Sequence, residues 1–527
     1  MQAQAEISQG IKNRVVTNSL VSIVAKIIYL LSRLAVPPII LSYISLEEYG
    51  VWTYCFIAIG YVGMSVMGFS TVFILAGADY VANRDLAKLN GMVATGFWLS
   101  CGVGLVLLGL CWLSTPWLVA SLKLPPLLAD KAYWLIFGSE VSFLLCVTIG
   151  SLGALIIGLQ KIVAEQTIWV ISFLLETATM VLFFRMGLGV FSLLYAFLVR
   201  YLFVVATSAF FSYRWVPGLS LRWQHVNKPA LRHFLGFGSI VQLSGFLSMM
   251  LRSAEKILAG WLLNVKAVGL MDLGEKFPMM AMSLPSAING SIIPAAAALH
   301  AGNDRQAIQD LFLMATRHVN LFAALLSAYF MAFATPLIAA WLGTGEALAS
   351  AVFVMMIFSV PYHLDVLTGP TSSILRGCGV PKYELMYPIS QFILLALFLV
   401  PARLYFPDSL EMICWIVALS MSLSAMLFTA FGAYYLGIPA RRFLLRAVLP
   451  GVLPYVLAML VAVAAQAFMP SADRLGSIMV CGVGGLVYGL ASLALIYAFI
   501  ADAGEKEFVS TRLARVRQLI FARGQVS

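Results

Sequence analysis

The chain has 527 residues, 61% hydrophobic and 11% charged, with a mean hydropathy of +0.95 and a formal net charge of +10. Such values exclude a soluble globular domain and admit about a dozen or more membrane-crossing helices of ~20 residues each. The Lys and Arg residues lie between apolar runs, which argues against nucleic acid as a partner and for loops held on one side of a bilayer.

Residues 1–16 are polar, and the apolar run after them is longer than the ~7–15 residues of a signal-peptide core, so the first helix is expected to act as the membrane signal. Apolar periodicity predicts fourteen spans: 17–43, 49–77, 91–114, 132–158, 163–184, 188–213, 236–262, 267–299, 311–340, 347–373, 383–402, 410–436, 445–468 and 475–500. With both termini cytoplasmic, 21 Lys/Arg fall on the cytoplasmic side and 6 on the outer side, the bias that sets orientation.

The chain also matches itself at a constant offset of 219 residues. Arg33 meets Arg252, Gly50 meets Gly269, Ala82 meets Ala301, Asp85 meets Asp304, Gly158 meets Gly377 and Glu165 meets Glu384. One offset held through three regions reads as a duplication of six helices, and an even number gives parallel repeats with the substrate site at their interface. The expected fold is an all-α polytopic membrane protein of about 14 transmembrane helices, two parallel six-helix repeats plus a C-terminal helix pair. The boundaries are an N-lobe at 1–213, a basic cytoplasmic linker at 214–235, a C-lobe at 236–436, the extra pair at 437–500 and a tail at 501–527. In that tail Val509, Leu513, Val516 and Ile520 share one helical face and Arg512, Arg515 and Arg523 lie elsewhere, as in a helix lying on an anionic leaflet.

Enzyme signatures are missing. The seven Cys have no CxxC spacing and read as apolar filler. The five His have no ligand spacing, and there is no GxxxxGK[ST] phosphate loop, so neither a metal nor ATP is expected. What remains is charge inside the spans, which is costly and marks polar pathways. The hairpin 236–299 carries Arg252, Glu255 and Lys256, turns at 264–269, and continues with Asp272, Glu275 and Lys276. Lys26 and Arg33 share a face of the first helix, and Arg252 and Lys256 a face of the seventh. A two-fold axis relating these helices would set two cationic faces across one cleft, suited to a diphosphate or an acidic sugar. Arg200 and Lys276 extend the same set. The bland alternative is a neutral lattice, with Arg252 on Glu255 and Asp272 on Lys276, and Lys256 snorkelling. Glu176 and Asp365 have no partner on their own helices and, with Glu255 and Asp272, are candidates for coupling to H+ or Na+.

Leu46-Glu-Glu-Tyr-Gly-Val-Trp52, Ala254-Glu-Lys-Ile-Leu-Ala-Gly260 before Ala267-Val-Gly-Leu270, Ser283-Leu-Pro-Ser-Ala287 before Ile293-Pro294, and Leu367-Thr-Gly-Pro370 with Ile374-Leu-Arg-Gly377 carry a resemblance. Together they resemble bacterial polysaccharide flippases of the Wzx type, in the multidrug/oligosaccharidyl-lipid/polysaccharide (MOP) exporter superfamily, across most of the first 390 residues. Where that family tends to have Asp-Arg, this chain has Glu255-Lys256. The resemblance implies a twelve-helix core of two lobes, often extended to fourteen, around a cationic cavity. It also implies a non-enzymatic secondary carrier in the bacterial inner membrane that moves polyprenyl-diphosphate-linked glycans by alternating access, alongside polysaccharide polymerase and chain-length machinery. No cofactor is implied. The rivals are a cation-coupled multidrug exporter of the same superfamily and a peptidoglycan-precursor flippase.

Overall fold

The computed structural model describes residues 28–64, 67–148, 151–234, 251, 253–345, 348–469, 473–500 and 506–507. Among them there is no strand and nearly every residue is helical. Ten helices are long and apolar enough to cross a bilayer, and Ile28–Leu41, Val72–Asn83 and Ile292–Ala301 are shorter apolar helices. The protein is a multi-pass membrane protein. Most of the seventh expected span and nearly all of the expected amphipathic tail lie outside the described residues.

The chain runs through α1 (Ile28–Leu41), α2 (Leu46–Met64), α3 (Met67–Asn83), α4 (Leu86–Ser121), α5 (Pro126–Thr148), α6 (Leu152–Gly158), α7 (Ile162–Arg185), α8 (Phe191–Trp215) and the short α9 (Lys228–His233). There follow α10 (Ala254–Leu258), α11 (Val265–Ser283), α12 (Asn289–Ala301), α13 (Arg305–Ala332), α14 (Ala334–Leu342), α15 (Ala349–Val366) and α16 (Thr368–Gly377). The last are α17 (Met386–Tyr405), α18 (Leu410–Tyr435), α19 (Ala440–Phe443), α20 (Leu453–Phe468) and α21 (Arg474–Leu495). Two spans expected to be continuous are broken: 267–299 by a tight turn at Pro285–Ile288 and 311–340 at Phe333. The span 347–373 lies within Ala349–Gly377, one crossing helix with a single turn residue at Leu367. Pro285 opens its turn and Pro336 falls in the first turn of α14, where a missing N–H leaves no bond unmade.

The offset of 219 reappears in the backbone. Of the ten left-handed φ angles among the described residues, six pair at this offset: Arg84 (56°), Gln160 (62°) and Gly218 (88°) with Asn303 (53°), Gly379 (75°) and Gly437 (73°). Asp85 caps α4 by accepting from Lys88 N at 2.9 Å, and Asp304 caps α13 by accepting from Ala307 N at 2.9 Å. A Cβ on Gly158 would lie 2.3 Å from Ile74 O and 3.0 Å from Gly77 Cα. One on Gly377 would lie 2.8 Å from Ile293 O and 2.6 Å from Ala296 Cβ, the same helix contact one repeat later.

The residues group into two compact units, Met1–Lys276 with Pro388–Val417, and Phe277–Tyr387 with Ala418–Ser527. In the first, Phe73, Leu89, Val93, Leu152, Leu155 and Phe234 belong to one apolar cluster. The segment after α8 is strapped along α4. Asn90 Nδ2 donates to Gly218 O at 3.0 Å, Trp98 Nε1 to Leu221 O at 2.8 Å, and Asn227 N to Thr95 Oγ1 at 3.1 Å. In the second unit Ile292, Ala296, Phe312, Ile374 and Phe443 play the corresponding part. There a widened helical turn at Leu444–Val448 precedes Pro450, and Asn320 Nδ2 donates to the carbonyls of Ala447 (2.6 Å) and Val448 (2.8 Å). His363 completes this network, with Nε2 2.7 Å from Asn320 Oδ1 and Nδ1 2.9 Å from Tyr455 Oη. Such polar contacts between helices act as glue where lipid removes the hydrophobic drive to associate.

Candidate functional site

The first charged cluster lies on α1, α2, α7 and α8. Arg33 is half-buried on α1. Tyr29 sits four residues earlier on the same face, so its ring comes within 5.1 Å of the guanidinium, and Phe56 of α2 supplies a second ring at 5.2 Å. Arg200 is buried on α8, its Nη1 bonded to Glu176 Oε2 of α7 at 2.8 Å. Its guanidinium lies over Phe173 at 4.0 Å and within 5.2 Å of Trp169 and Tyr201. Tyr29 and Phe173, 4.9 Å apart, join the two halves of this cluster. Arg33 and Glu176 line one narrow cleft of about 20 Å³ together with Ser32, Val36, Phe173 and Thr177. That volume has room for about one water. Among the described residues Glu176 has its ion pair with Arg200, and none has one with Arg33. Two guanidinium groups against one carboxylate leave a net positive charge on an aromatic bed.

The second cluster is the hairpin. The turn between α10 and α11 is tight: Asn264 is extended, and its Oδ1 caps α11 by accepting from Ala267 N at 3.0 Å. Lys256 reaches Asp272 Oδ1 at 3.3 Å and Glu275 Oε2 at 3.1 Å, and Lys276 reaches Asp272 Oδ2 at 2.7 Å. The hydroxyl of Tyr49 donates to Asp272 Oδ2 at 2.7 Å. Glu255 is buried beside them at 3% exposure. Of the alternatives open in the sequence, this geometry displays the internal lattice for Asp272 and Lys276. The ammonium of Lys256 is enclosed by carboxylates and does not snorkel.

Of the remaining candidates, Asp365 on α15 accepts from the hydroxyl of Tyr387 at 2.5 Å. Lys26 and Arg252 lie outside the described residues. Sequence reasoning missed Tyr49, Tyr387, Phe56 and Phe173. Only the Tyr29–Arg33 spacing offered a local signal, since Tyr49 and Asp272 are 223 residues apart.

Residues 42–345 match the model of a family described as "Polysaccharide biosynthesis protein". The chain belongs to this family. No curated protein sequence matches it. Among solved structures it is similar to the lipid II flippase MurJ in an inward closed conformation, at TM-score 0.64 and 12% identity, over 92% of this chain and 99% of that one. It is also similar to an inward-facing multidrug resistance MATE family transporter of the MOP superfamily (TM-score 0.57, 14% identity, 77% and 98% covered). A third is a MOP superfamily transporter from Pyrococcus furiosus, whose description speaks of reverse polarity of its binding pocket (0.54, 16%, 80% and 95%). At these identities the likeness is one of fold: this member of the polysaccharide biosynthesis family has the MOP architecture.

Proposed function

We propose that the protein is a secondary carrier that flips a polyprenyl-diphosphate-linked oligosaccharide across the bacterial inner membrane, with its two repeats as lobes and both termini cytoplasmic. The observation that carries this reading is Arg33. In a membrane-spanning helix a guanidinium is expensive unless something answers it, and among the described residues no carboxylate forms an ion pair with it. Its planar fork suits two phosphate oxygens at once. Arg200, held by Glu176, adds positive field beside it. Membership in a polysaccharide biosynthesis family and the MOP fold both fit a glycan-lipid flippase.

The cleft around Arg33 is too narrow for a glycan, so binding requires the helices around it to part, as alternating access does. Lys256 and Lys276 serve this reading less well than Arg33, because their charge is already met by Asp272 and Glu275. Coupling to an H+ or Na+ gradient would supply the driving force, with Asp365, which accepts from the Tyr387 hydroxyl, among the candidate carboxylates. The test is mass spectrometry of polyprenyl-linked glycans from cells with and without the gene. Accumulation of one completed repeat unit in the deletant is expected. An unchanged lipid pool together with new sensitivity to cationic dyes would favour the drug-exporter alternative instead.

A further inference from the structure

Helix α4 is longer than a bilayer requires. Its 36 residues rise about 54 Å, against ~30 Å of hydrocarbon. Trp98 and Trp117 are both exposed, and no charged residue lies between them. At the helical rise they stand about 28 Å apart along the axis, close to the thickness of the hydrocarbon. Trp sits at headgroup level on both sides of a membrane, so the two rings mark where α4 leaves the apolar layer. The turns before Trp98 then project from the bilayer, on the side that the Lys/Arg bias reads as cytoplasmic. The segment after α8 is strapped along those turns through Asn90, Thr95 and Trp98.

The strap has two faces. Val216, Leu219 and Phe234 are buried in the cluster with Phe73 and Leu89. Arg222, Trp223, Lys228 and Arg232 are exposed, and none of these three cations has an ion pair among the described residues. Residues 214–235 contain no Asp or Glu to answer them. Trp223, 64% exposed, meets Trp98 edge to face at 5.3 Å and so shares its depth. Arg222 follows Leu221, whose carbonyl takes the Trp98 bond, and Lys228 follows Asn227, which is bonded to Thr95 about one turn further out. The cations therefore lie at and just beyond the level of the ring pair. One repeat later the equivalents of Trp98 and Trp223 are Arg317 and Arg442, so the repeat folds without this pair.

We infer that this face of the strap is a docking surface for the headgroups of anionic phospholipids in the cytoplasmic leaflet. The ring pair lies at the apolar boundary, and the three cations meet phosphate oxygens just outside it. A soluble anion would use the cations and leave the Trp pair without a role. Because the strap is already pinned to α4, little order has to be gained on binding. The site shares no residue with the Arg33 cleft and stands apart from the flippase reading.

The experiment titrates the full chain in detergent micelles with dioleoylphosphatidylglycerol and with dioleoylphosphatidylcholine, and counts bound lipids by native mass spectrometry. The wild type is expected to prefer phosphatidylglycerol at least fivefold. Arg222→Gln with Lys228→Gln and Arg232→Gln should lose most of that preference at an unchanged unfolding midpoint. Lys382→Gln with Arg441→Gln and Arg446→Gln removes the same charge from the second unit and should keep it. Trp223→Ala keeps every charge and is expected to weaken phosphatidylglycerol binding at least twofold, a test that does not depend on the folding of the triple variant. Equal binding of the two lipids, or an unchanged preference in the strap variants, would overturn the inference. An equal loss in the second-unit variant would overturn it too, since binding then follows net charge alone. Competition by excess inorganic phosphate would assign the cations to a soluble anion instead of a lipid.

Discussion

Arg33 and Asp272 are both charged residues inside apolar stretches that the sequence reads as membrane spans, and their surroundings give them opposite characters. Arg33 rests on Tyr29 and Phe56 with no ion pair among the described residues, whereas Asp272 takes two ammonium groups and a hydroxyl. Charge-assisted hydrogen bonds are worth about 1.5–3 kcal/mol, so Arg33→Ala is expected to slow glycan-lipid flipping in proteoliposomes roughly ten- to hundredfold at unchanged protein level. Arg33→Lys, which keeps the charge and loses the fork, should fall between. Full activity in both would remove Arg33 from the site. Asp272→Asn leaves Lys256 and Lys276 under-compensated, and breaking a buried pair from one side costs about 3–5 kcal/mol. A clear fall in the unfolding midpoint is expected, and Asp272→Asn with Lys276→Met should recover most of it, because the two residues share one lattice. A double variant as unstable as the sum of its parts would show that the lattice is not coupled.

Helices α2 and α11 cross where the repeat meets itself. A Cβ on Gly50 would lie 2.0 Å from Val265 O, and one on Gly269 would lie 3.1 Å from Leu46 O and 3.4 Å from Gly50 Cα. Leu46 and Val265, like Gly50 and Gly269, are 219 apart, so each helix presents the same patch to the other, as at an isologous interface. Glu47 and its own repeat equivalent, Lys266, approach to 3.9 Å at the same crossing. At 2.0 Å from a backbone oxygen no side chain can yield, and the helices must part. Gly50→Ala is therefore expected to cost about 1–3 kcal/mol by overpacking, and Gly269→Ala clearly less. Thermal unfolding of the two variants measures the difference, and equal effects would refute a crossing this close at Gly50. The same elements explain what the sequence concealed. The reading of 267–299 as one span missed the break at Pro285–Ile288, because a proline in a helix's first turn and one inside a helix look alike in an apolar run.

At the scale of the molecule, the asymmetry of Lys and Arg predicts both termini on the cytoplasmic side. A C-terminal green fluorescent protein fusion is expected to fluoresce, and an alkaline phosphatase fusion at the same point to be inactive. The opposite pattern would invert the orientation. The segment after α8 belongs at this scale too, since its bonds to Asn90, Thr95 and Trp98 make it a strap on α4 and not a loose tether. Its equivalent one repeat later keeps the device in part, with Gln309 Nε2 donating to Leu436 O at 2.8 Å.

The sequence by itself determined the membrane class, the family resemblance and the duplication, because hydropathy, loop charge and spacing along the chain are properties of single segments. It also exposed the arginines, lysines and carboxylates of both charged clusters, for a charge in an apolar run is conspicuous. Only the tertiary structure decided which of those charges neutralise one another. Glu176 and Arg200 pair from neighbouring helices, Tyr49 reaches Asp272 across 223 residues, and Glu140 has no ion pair among the described residues. The energy of a charge in a low-dielectric interior depends on what lies within a few ångströms of it, and that distance is set by helix packing, which no local spacing records.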